Sequence, residues 1–179
     1  VTAVFIGLVL GGILMTLTGV NAIEGYKALI MGCFGRLEYV SETIVYTTPL
    51  IFTGLAIALG FRCGLFNIGC EGQYIVGLIG AAVVGAMDLG LPTFIHLPLT
   101  MLSGMACGAI WASVPGLLKA KFGIHEVVNS IMMNYIALYL SHYLVNGPIK
   151  DPGITSPYSR EILDTAKLWR FFGQNSPIR

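Results

Sequence analysis

Residues 89–118 read LGLPTFIHLPLTMLSGMACGAIWASVPGLL, thirty positions without an Asp, Glu, Lys or Arg. A helix needs about 20 mostly apolar residues to cross the hydrocarbon core of a bilayer, so this run suffices with residues to spare. Working outward, four further stretches carry no charge: 1–23, 43–61, 72–87 and 127–149, of 23, 19, 16 and 23 residues. Three of these are also long enough to span, and 72–87 is marginal. The whole chain of 179 residues is 55% hydrophobic and 11% charged, with a net charge of +1 and a mean hydropathy of +0.79. Soluble domains carry about 25% charged residues. The composition therefore argues against a soluble enzyme, and its balanced charge offers no basic field for nucleic acid. The pattern predicts an all-α polytopic transmembrane helical bundle with four to five spans.

The charges mark the breaks between these spans. A first span over about Thr2–Val20 gives way to Asn21-Ala22-Ile23-Glu24, a candidate N-cap with an acid three residues on. From there to about Val40 the pattern is amphipathic, with Tyr26, Ile30, Cys33 or Phe34, and Leu37 on one face. Such a helix lies at the membrane interface rather than crossing it. Further spans follow over about Thr43–Phe61, Tyr74–Met87, His96–Leu118 and Val127–Val145. Residues 1–146 thus read as the transmembrane bundle. Residues 147–179, rich in proline, glycine and charge, read as a solvent-exposed loop. Segment 1–20 has neither the charged leader nor the small-residue cleavage site of a signal peptide. A chain opening at Val1 inside an apolar run is expected to be a piece of a longer polytopic protein.

Small residues recur in the spans, and Gly104–Gly108 forms a GxxxG that lets helix backbones approach closely. Packing within one bundle is the favoured reading of that motif over a dimer contact. Cys33, Cys63, Cys70 and Cys107 show no CxxC spacing and read as small apolar groups. In the last span Ser130, Asn134, Ala137 and Ser141 share one face, beside a stripe of Tyr135, Tyr139, His142 and Asn146. Polar groups in hydrocarbon are costly, so the first face should look into the bundle or a wet cavity. It either lines a solute path or bonds neighbouring helices.

The break at Arg62–Gln73 is the most informative. Four glycines, Asn67, Glu71 and Gln73 interrupt two apolar runs, and interrupted helices line substrate sites in transporters. Asn67, Glu71 and Gln73 suit a polar, uncharged solute. An ordinary surface loop anchored by Arg62 is the plainer alternative. His125-Glu126-Val127-Val128-Asn129 is one residue short of the zinc-protease motif HExxH, because Asn129 stands where the second histidine ligand is required. No GxSxG or GxxxxGK[ST] is present. No catalytic residue, metal or cofactor is therefore expected on this chain. An intramembrane protease or a structural membrane subunit remains as a reading from another class.

Two long runs resemble a known family. Thr48-Pro-Leu-Ile-Phe-Thr-Gly-Leu-Ala-Ile-Ala-Leu-Gly-Phe-Arg-Cys-Gly-Leu-Phe-Asn-Ile-Gly-Cys-Glu-Gly-Gln73 is similar to a signature of bacterial ABC-importer permeases, in the group of ribose, branched-chain amino acid and nucleoside permeases. Pro115-Gly-Leu-Leu-Lys-Ala-Lys-Phe-Gly-Ile-His-Glu-Val-Val-Asn-Ser-Ile-Met-Met-Asn-Tyr-Ile-Ala137, with Gly147-Pro-Ile-Lys-Asp151, looks like the nucleoside branch. The resemblance covers about 20–155 and implies a non-enzymatic permease subunit importing nucleosides or a related sugar-like solute. A branched-chain amino acid or simple-sugar permease of the same group is the alternative. It implies a multi-pass protein of the bacterial plasma membrane, working with a second permease subunit, an extracytoplasmic solute-binding protein and cytoplasmic ATPases that hold ATP and Mg. Members are about twice this long, so the chain would be an N-terminal portion. By position, Lys119, Lys121, Phe122, Gly123, His125 and Glu126 would couple to the ATPase. Asn67, Glu71, Gln73 and Asn134 would lie beside the solute path. This orientation puts Arg62, Lys119 and Lys121 inside and Lys27, Arg36, Lys150, Arg160, Lys167, Arg170 and Arg179 outside, against the positive-inside tendency. The rule weighs residues near span ends, so the distal charges of 147–179 count less.

Overall fold

The computed structural model describes residues 2–153 and 155–168. Six α-helices account for most of them: α1 Thr2–Leu17, α2 Ala22–Phe34, α3 Leu37–Arg62, α4 Cys70–Gly85, α5 Thr93–Phe122 and α6 Glu126–Asn146. A single 3-10 turn covers Asp164–Ala166. The only pairing of extended chain among the described residues is an isolated antiparallel bridge, Lys150 to Ser159. The all-α expectation is met. Two helices, α3 and α5, are long and apolar enough to cross a membrane. The expected four to five spans are not reached on that measure, for two physical reasons. Helices α1 and α4 have 16 residues each, about 24 Å of rise against a core of about 30 Å. The polar stripe of α6 dilutes its hydropathy.

The chain divides into two compact units, one formed by residues up to Pro49 and the other from Leu50 onward. In the first, the Asn21 side chain accepts a hydrogen bond from the Ile23 N–H at 3.1 Å and caps α2 as expected. Gly19 takes a φ of 82°, which lets the chain turn back after α1. Tyr26 then donates to the Leu8 carbonyl and ties α2 to α1. The amphipathic segment ends sooner than expected. It stops at Phe34, and Leu37, Glu38 and Glu42 begin α3, six residues ahead of the predicted span. Pro49 sits inside α3. In the turn before it, the Thr47 and Thr48 hydroxyls donate to the carbonyls of Thr43 at 2.6 Å and Ile44 at 2.7 Å. Pro49 lacks the N–H that would pair with the Val45 carbonyl, a loss that membrane helices tolerate where neighbouring groups re-satisfy the freed oxygen.

The second unit is built on an antiparallel pair, α4 against α5, with α6 packed alongside. Glycine decides how near the pair approaches. A Cβ on Gly104 would lie 3.0 Å from the Gly77 carbonyl oxygen, and one on Gly77 would lie 3.1 Å from that of Gly104. One turn further, a Cβ on Gly80 would meet Cys107 Sγ at 2.5 Å, while Ser103 donates to the Gly80 carbonyl at 3.1 Å. The GxxxG of α5 is thus used within the chain, as favoured from sequence. Cys107 fills space beside Gly80, and Cys70 is buried. Most buried positions of this unit are small or polar, Ala137, Ser130, Thr100 and His96 among them, with Met133 the large apolar exception. Large apolar side chains face outward, Phe52 and Leu59 on α3 and Met105 and Ile110 on α5 among them. An outer surface this apolar suits hydrocarbon rather than water.

The loop after α6 departs from expectation. Most of its described residues up to Glu161 are exposed, but 162–166 fold back onto the α4–α5 pair. Leu163 N–H donates to the Gly85 carbonyl at 2.9 Å, the Ile162 methyl covers Gly85, and Ala166 is buried. His96 is 1% exposed. Its Nε2 lies 3.0 Å from the Val84 carbonyl and its Nδ1 lies 2.8 Å from the Thr165 hydroxyl. A carbonyl can only accept, so Nε2 carries its hydrogen. Ile162, Leu163 and Ala166 supply the apolar surface that holds the return, which the proline- and charge-rich composition of the loop obscured. At its end Lys167 donates to Glu161 and Asp164, each at 2.9 Å, and hydrogen bonds to Asp164 and then Glu161 raise its pKa. The expected remainder of the loop, with Arg170 and Arg179, lies outside the described residues. Replacing His96 by alanine removes both ties and is expected to cost about 1–3 kcal/mol locally. Amide exchange at Leu163 should accelerate about tenfold or more; unchanged protection would contradict this clasp.

Candidate functional site

The break after α3 begins with glycine. Gly64 has a φ of 72°, a conformation that costs glycine least. It lets Cys63 and Leu65 N–H donate to the Gly60 carbonyl at 3.0 and 2.9 Å, closing the helix C-terminus in the manner of a left-handed cap. Phe66 turns its ring edge-on to Phe61 with centroids 5.0 Å apart. Asn67 then prepares the next helix: its Oδ1 accepts from the Gly69 N–H at 2.8 Å and from Gln73 Nε2 at 3.4 Å. The first N–H groups of a helix need outside acceptors. Here one of them, Gly72 N–H, donates to Asn134 Oδ1 of α6 at 2.8 Å. The other end of the same amide, Asn134 Nδ2, donates to the Ile68 carbonyl at 3.1 Å.

The structure thus brings Asn67, Gln73 and Asn134 into one network and leaves Glu71 exposed outside it. Of the two stripes on α6, the one holding Ser130, Asn134 and Ala137 faces the bundle. Ser130 Cβ lies 3.2 Å from where a Cβ on Gly69 would be, and Ala137 is 0% exposed. Tyr135 and Tyr139 are exposed. Of the polar groups in this stripe, Asn134 bonds the neighbouring broken segment, while the Ser130 and Ser141 hydroxyls donate to the Val127 and Leu138 carbonyls of their own helix. A cavity of about 180 Å³ adjoins this network, with Phe66, Asn67, Pro115, Glu126 and Ser130 in its wall. Ligand pockets for drug-sized molecules run to about 300–1,000 Å³, so this cavity is too small to enclose a solute of that class. A larger one, about 610 Å³, lies at the opposite end of α4, between Met87, Asp88, Pro148 and Arg160.

The α5–α6 turn meets the broken helix at the same end. Gly123 closes α5 with a φ of 65° and its N–H donates to the Lys119 carbonyl. Lys119 Nζ donates to Glu126 Oε1 at 2.5 Å and to the Gly64 carbonyl at 3.1 Å. The same Glu126 oxygen accepts from the Phe66 N–H at 3.4 Å. The hydrogen bond from Lys119, helped by the Glu126 and Phe66 backbone N–H groups, lowers the Glu126 carboxyl from its ordinary 4.5 to about 2. Lys121, Phe122, Gly123 and His125 are exposed. The six residues expected to act together therefore separate into an inward pair and an outward group. Sequence reasoning missed two features: the partners of Lys119 and Glu126 in the 64–66 backbone, and His96 with Thr165. For His96 a signal existed, since an imidazole inside a charge-free apolar run needs hydrogen-bond partners.

Comparison with known proteins bears on what this arrangement does. The family described as "Branched-chain amino acid transport system / permease component" matches residues 39–175. A guanosine ABC transporter permease protein of Bacillus subtilis is 42% identical over 93% of this chain and 51% of its own length. A glucose ABC transporter permease protein of Haloferax volcanii is 33% identical over 94% of this chain and 44% of its own. A nucleoside ABC transporter permease protein of Lactococcus lactis subsp. cremoris is 36% identical over 80% of this chain and 40% of its own. The chain spans about half the length of the curated relatives it matches. No solved structure matches.

Proposed function

The chain belongs to the branched-chain amino acid transport system / permease component family, and we propose on that basis that it forms part of the membrane-spanning permease subunit of an ATP-driven importer. Its solute is a nucleoside or a related sugar-like molecule. The observation that carries this reading is the 42% identity to a guanosine permease along 93% of the chain. The similarity to a glucose permease over 94% of the chain keeps a simple sugar as the second reading.

The subunit is not an enzyme. ATP and Mg belong to partner ATPases, and a second permease subunit and an extracytoplasmic binding protein complete the importer. It sits as a multi-pass protein in the bacterial plasma membrane. Helices α3 and α5 cross it outright. The shorter α1 and α4, with α6, make up the four to five spans where the bilayer thins or neighbouring subunits cover them. The bundle covers residues 1–146, and 147–179 lie on the extracytoplasmic side with the large cavity. Exposed Lys121, Phe122, Gly123 and His125 meet the ATPase. The broken segment with Asn67, Gln73 and Asn134 stands beside the solute path, and Glu71 on the outer side of α4 contributes from there. Transport then proceeds by alternating access: closure of the ATPases pushes the α5–α6 turn and re-tilts the helices joined to it.

The solute assignment is tested on the cognate extracytoplasmic binding protein, titrated with guanosine, other nucleosides, pentoses, glucose and leucine. Tight nucleoside binding is expected, in the micromolar range or below, about 8 kcal/mol or more. Tight binding of leucine with none of guanosine would overturn it.

A further inference from the structure

We infer that Lys119 and Glu126 are not ATPase contacts but a pair of positioning residues that clamp the α5–α6 turn to the broken segment after α3, so that motion of one carries the other. The inference rests on the permease reading above and specifies how its moving parts are joined. Each side chain makes one bond to the other and one to backbone: Lys119 to the Gly64 carbonyl, Glu126 to the Phe66 N–H. Two charged groups thus hold two backbone atoms, two residues apart, in a loop 55 to 60 positions away along the chain. Bonds with an ionised partner are about twice as strong as neutral ones, and these four groups close on themselves.

The clamp has a direction. Beyond Phe66 the chain enters the network of Asn67, Gly69 and Gln73, and from there the first turn of α4, held by Asn134. A displacement of the α5–α6 turn therefore reaches α4 through bonded, contiguous groups rather than through a slack loop. Exposure separates the roles within the turn. The Glu126 side chain is 18% exposed and that of Lys119 33%, whereas Phe122 is 72% exposed. The outward residues are free to meet a partner, and the inward pair is already engaged. An intermediate position in space is not proof of coupling, so the test measures coupling itself.

The full importer, reconstituted in proteoliposomes, should be compared as wild type, Lys119→Ala, Glu126→Gln, the double variant and Lys119→Arg. The readouts are ATPase co-purification, ATP hydrolysis and solute taken up per ATP. The clamp predicts that each single variant retains the ATPase and hydrolyses ATP, while uptake per ATP falls about tenfold. The double variant should be no worse than either single one, because either change opens the same link. Arginine can still reach both acceptors and should keep most of the coupling. Loss of the ATPase from the single variants, additive losses in the double, or uptake per ATP equal to wild type would each overturn the clamp. Reduced protein yield with unchanged uptake per ATP would mark the pair as merely structural and overturn it as well. A wild-type complex that imports no solute would instead count against the permease reading, so the two failures are distinguishable.

Discussion

Replacing Asn134 with leucine should destabilise the second unit by about 2 kcal/mol. Asn134 is one side chain serving two backbone groups: it accepts from Gly72 N–H and donates to the Ile68 carbonyl. Leucine keeps the branched outline but puts bulkier methyl groups in place of the oxygen and nitrogen, so the loss combines missing hydrogen bonds with some overpacking. It leaves a helix N-terminal donor and a loop acceptor without partners, each worth about 1–3 kcal/mol when buried. Interhelical hydrogen bonds in membranes average nearer 0.6 kcal/mol, and the half-buried setting of Asn134 puts the sum between these limits. Aspartate separates the two bonds. Its carboxylate still accepts from Gly72 but faces the Ile68 carbonyl with an oxygen, so it should recover part of the loss at most. The check is thermal unfolding of the purified complex in detergent. A leucine variant melting with the wild type would show that the bridge holds nothing. The exposed Tyr135→Phe is the matched control on the same helix, expected to change nothing.

The α4–α5 crossing should be still less forgiving. Gly104→Val places a Cβ 3.0 Å from the Gly77 carbonyl oxygen and 3.2 Å from Ala81 Cβ. A backbone oxygen cannot rotate aside, so the helices must part, and overpacking of this kind costs about 1–3 kcal/mol or more. Separation would also loosen the Ser103 bond to Gly80 and the cover over Gly85, so the total should reach about 3 kcal/mol. Gly80→Ala offers a sharper comparison, because its Cβ meets chiefly a side chain, Cys107 Sγ at 2.5 Å and Cβ at 2.9 Å, with the Ser103 carbonyl oxygen further off at 3.2 Å. Cys107→Gly empties that space and should restore much of the Gly80→Ala loss. No change at Cys107 should rescue Gly104→Val. Folded yield and melting temperature of the four variants decide the matter: a Gly80→Ala defect unmoved by Cys107→Gly would mean that the helices touch elsewhere.

Some of these features are legible in the sequence and others are not. Asn21 was legible as a cap because capping is local, needing one side-chain oxygen and the N–H two residues on. The extent of α3 was not. Leu37–Glu42 has the same amphipathic pattern whether it continues α2 or begins α3, and only the turn at Gly35-Arg36 separates the two. Asn67, Gln73 and Asn134 could be singled out, because polar groups between apolar runs are conspicuous. Their service to the backbone could not, since Asn134 finds its partners 62 and 66 residues away. Glu71 shows the converse. It stands in the same motif, yet the helical phase of α4 turns it outward while Gly72 faces α6.

The opening stretch, 89–118, states the division plainly. Its freedom from charge is a property of composition, and composition alone sets the solvent in which such a helix is stable. An all-α membrane protein followed from that, as did breaks near 62–73 and 119–126, which the structure narrows to 63–69 and 123–125 because helices α3, α4 and α5 run into the charged and glycine-bearing positions at their ends. Which side of the 30-residue helix α5 meets α4 was decided by tertiary structure. Gly77 and Gly104 have no side chain, so only their mutual approach shows that closeness is their role. The same holds for Lys119 and Glu126. In sequence they are flanking charges, and they become a clamp only because the fold brings the Gly64 carbonyl and the Phe66 N–H within reach, groups every residue carries and no sequence pattern distinguishes.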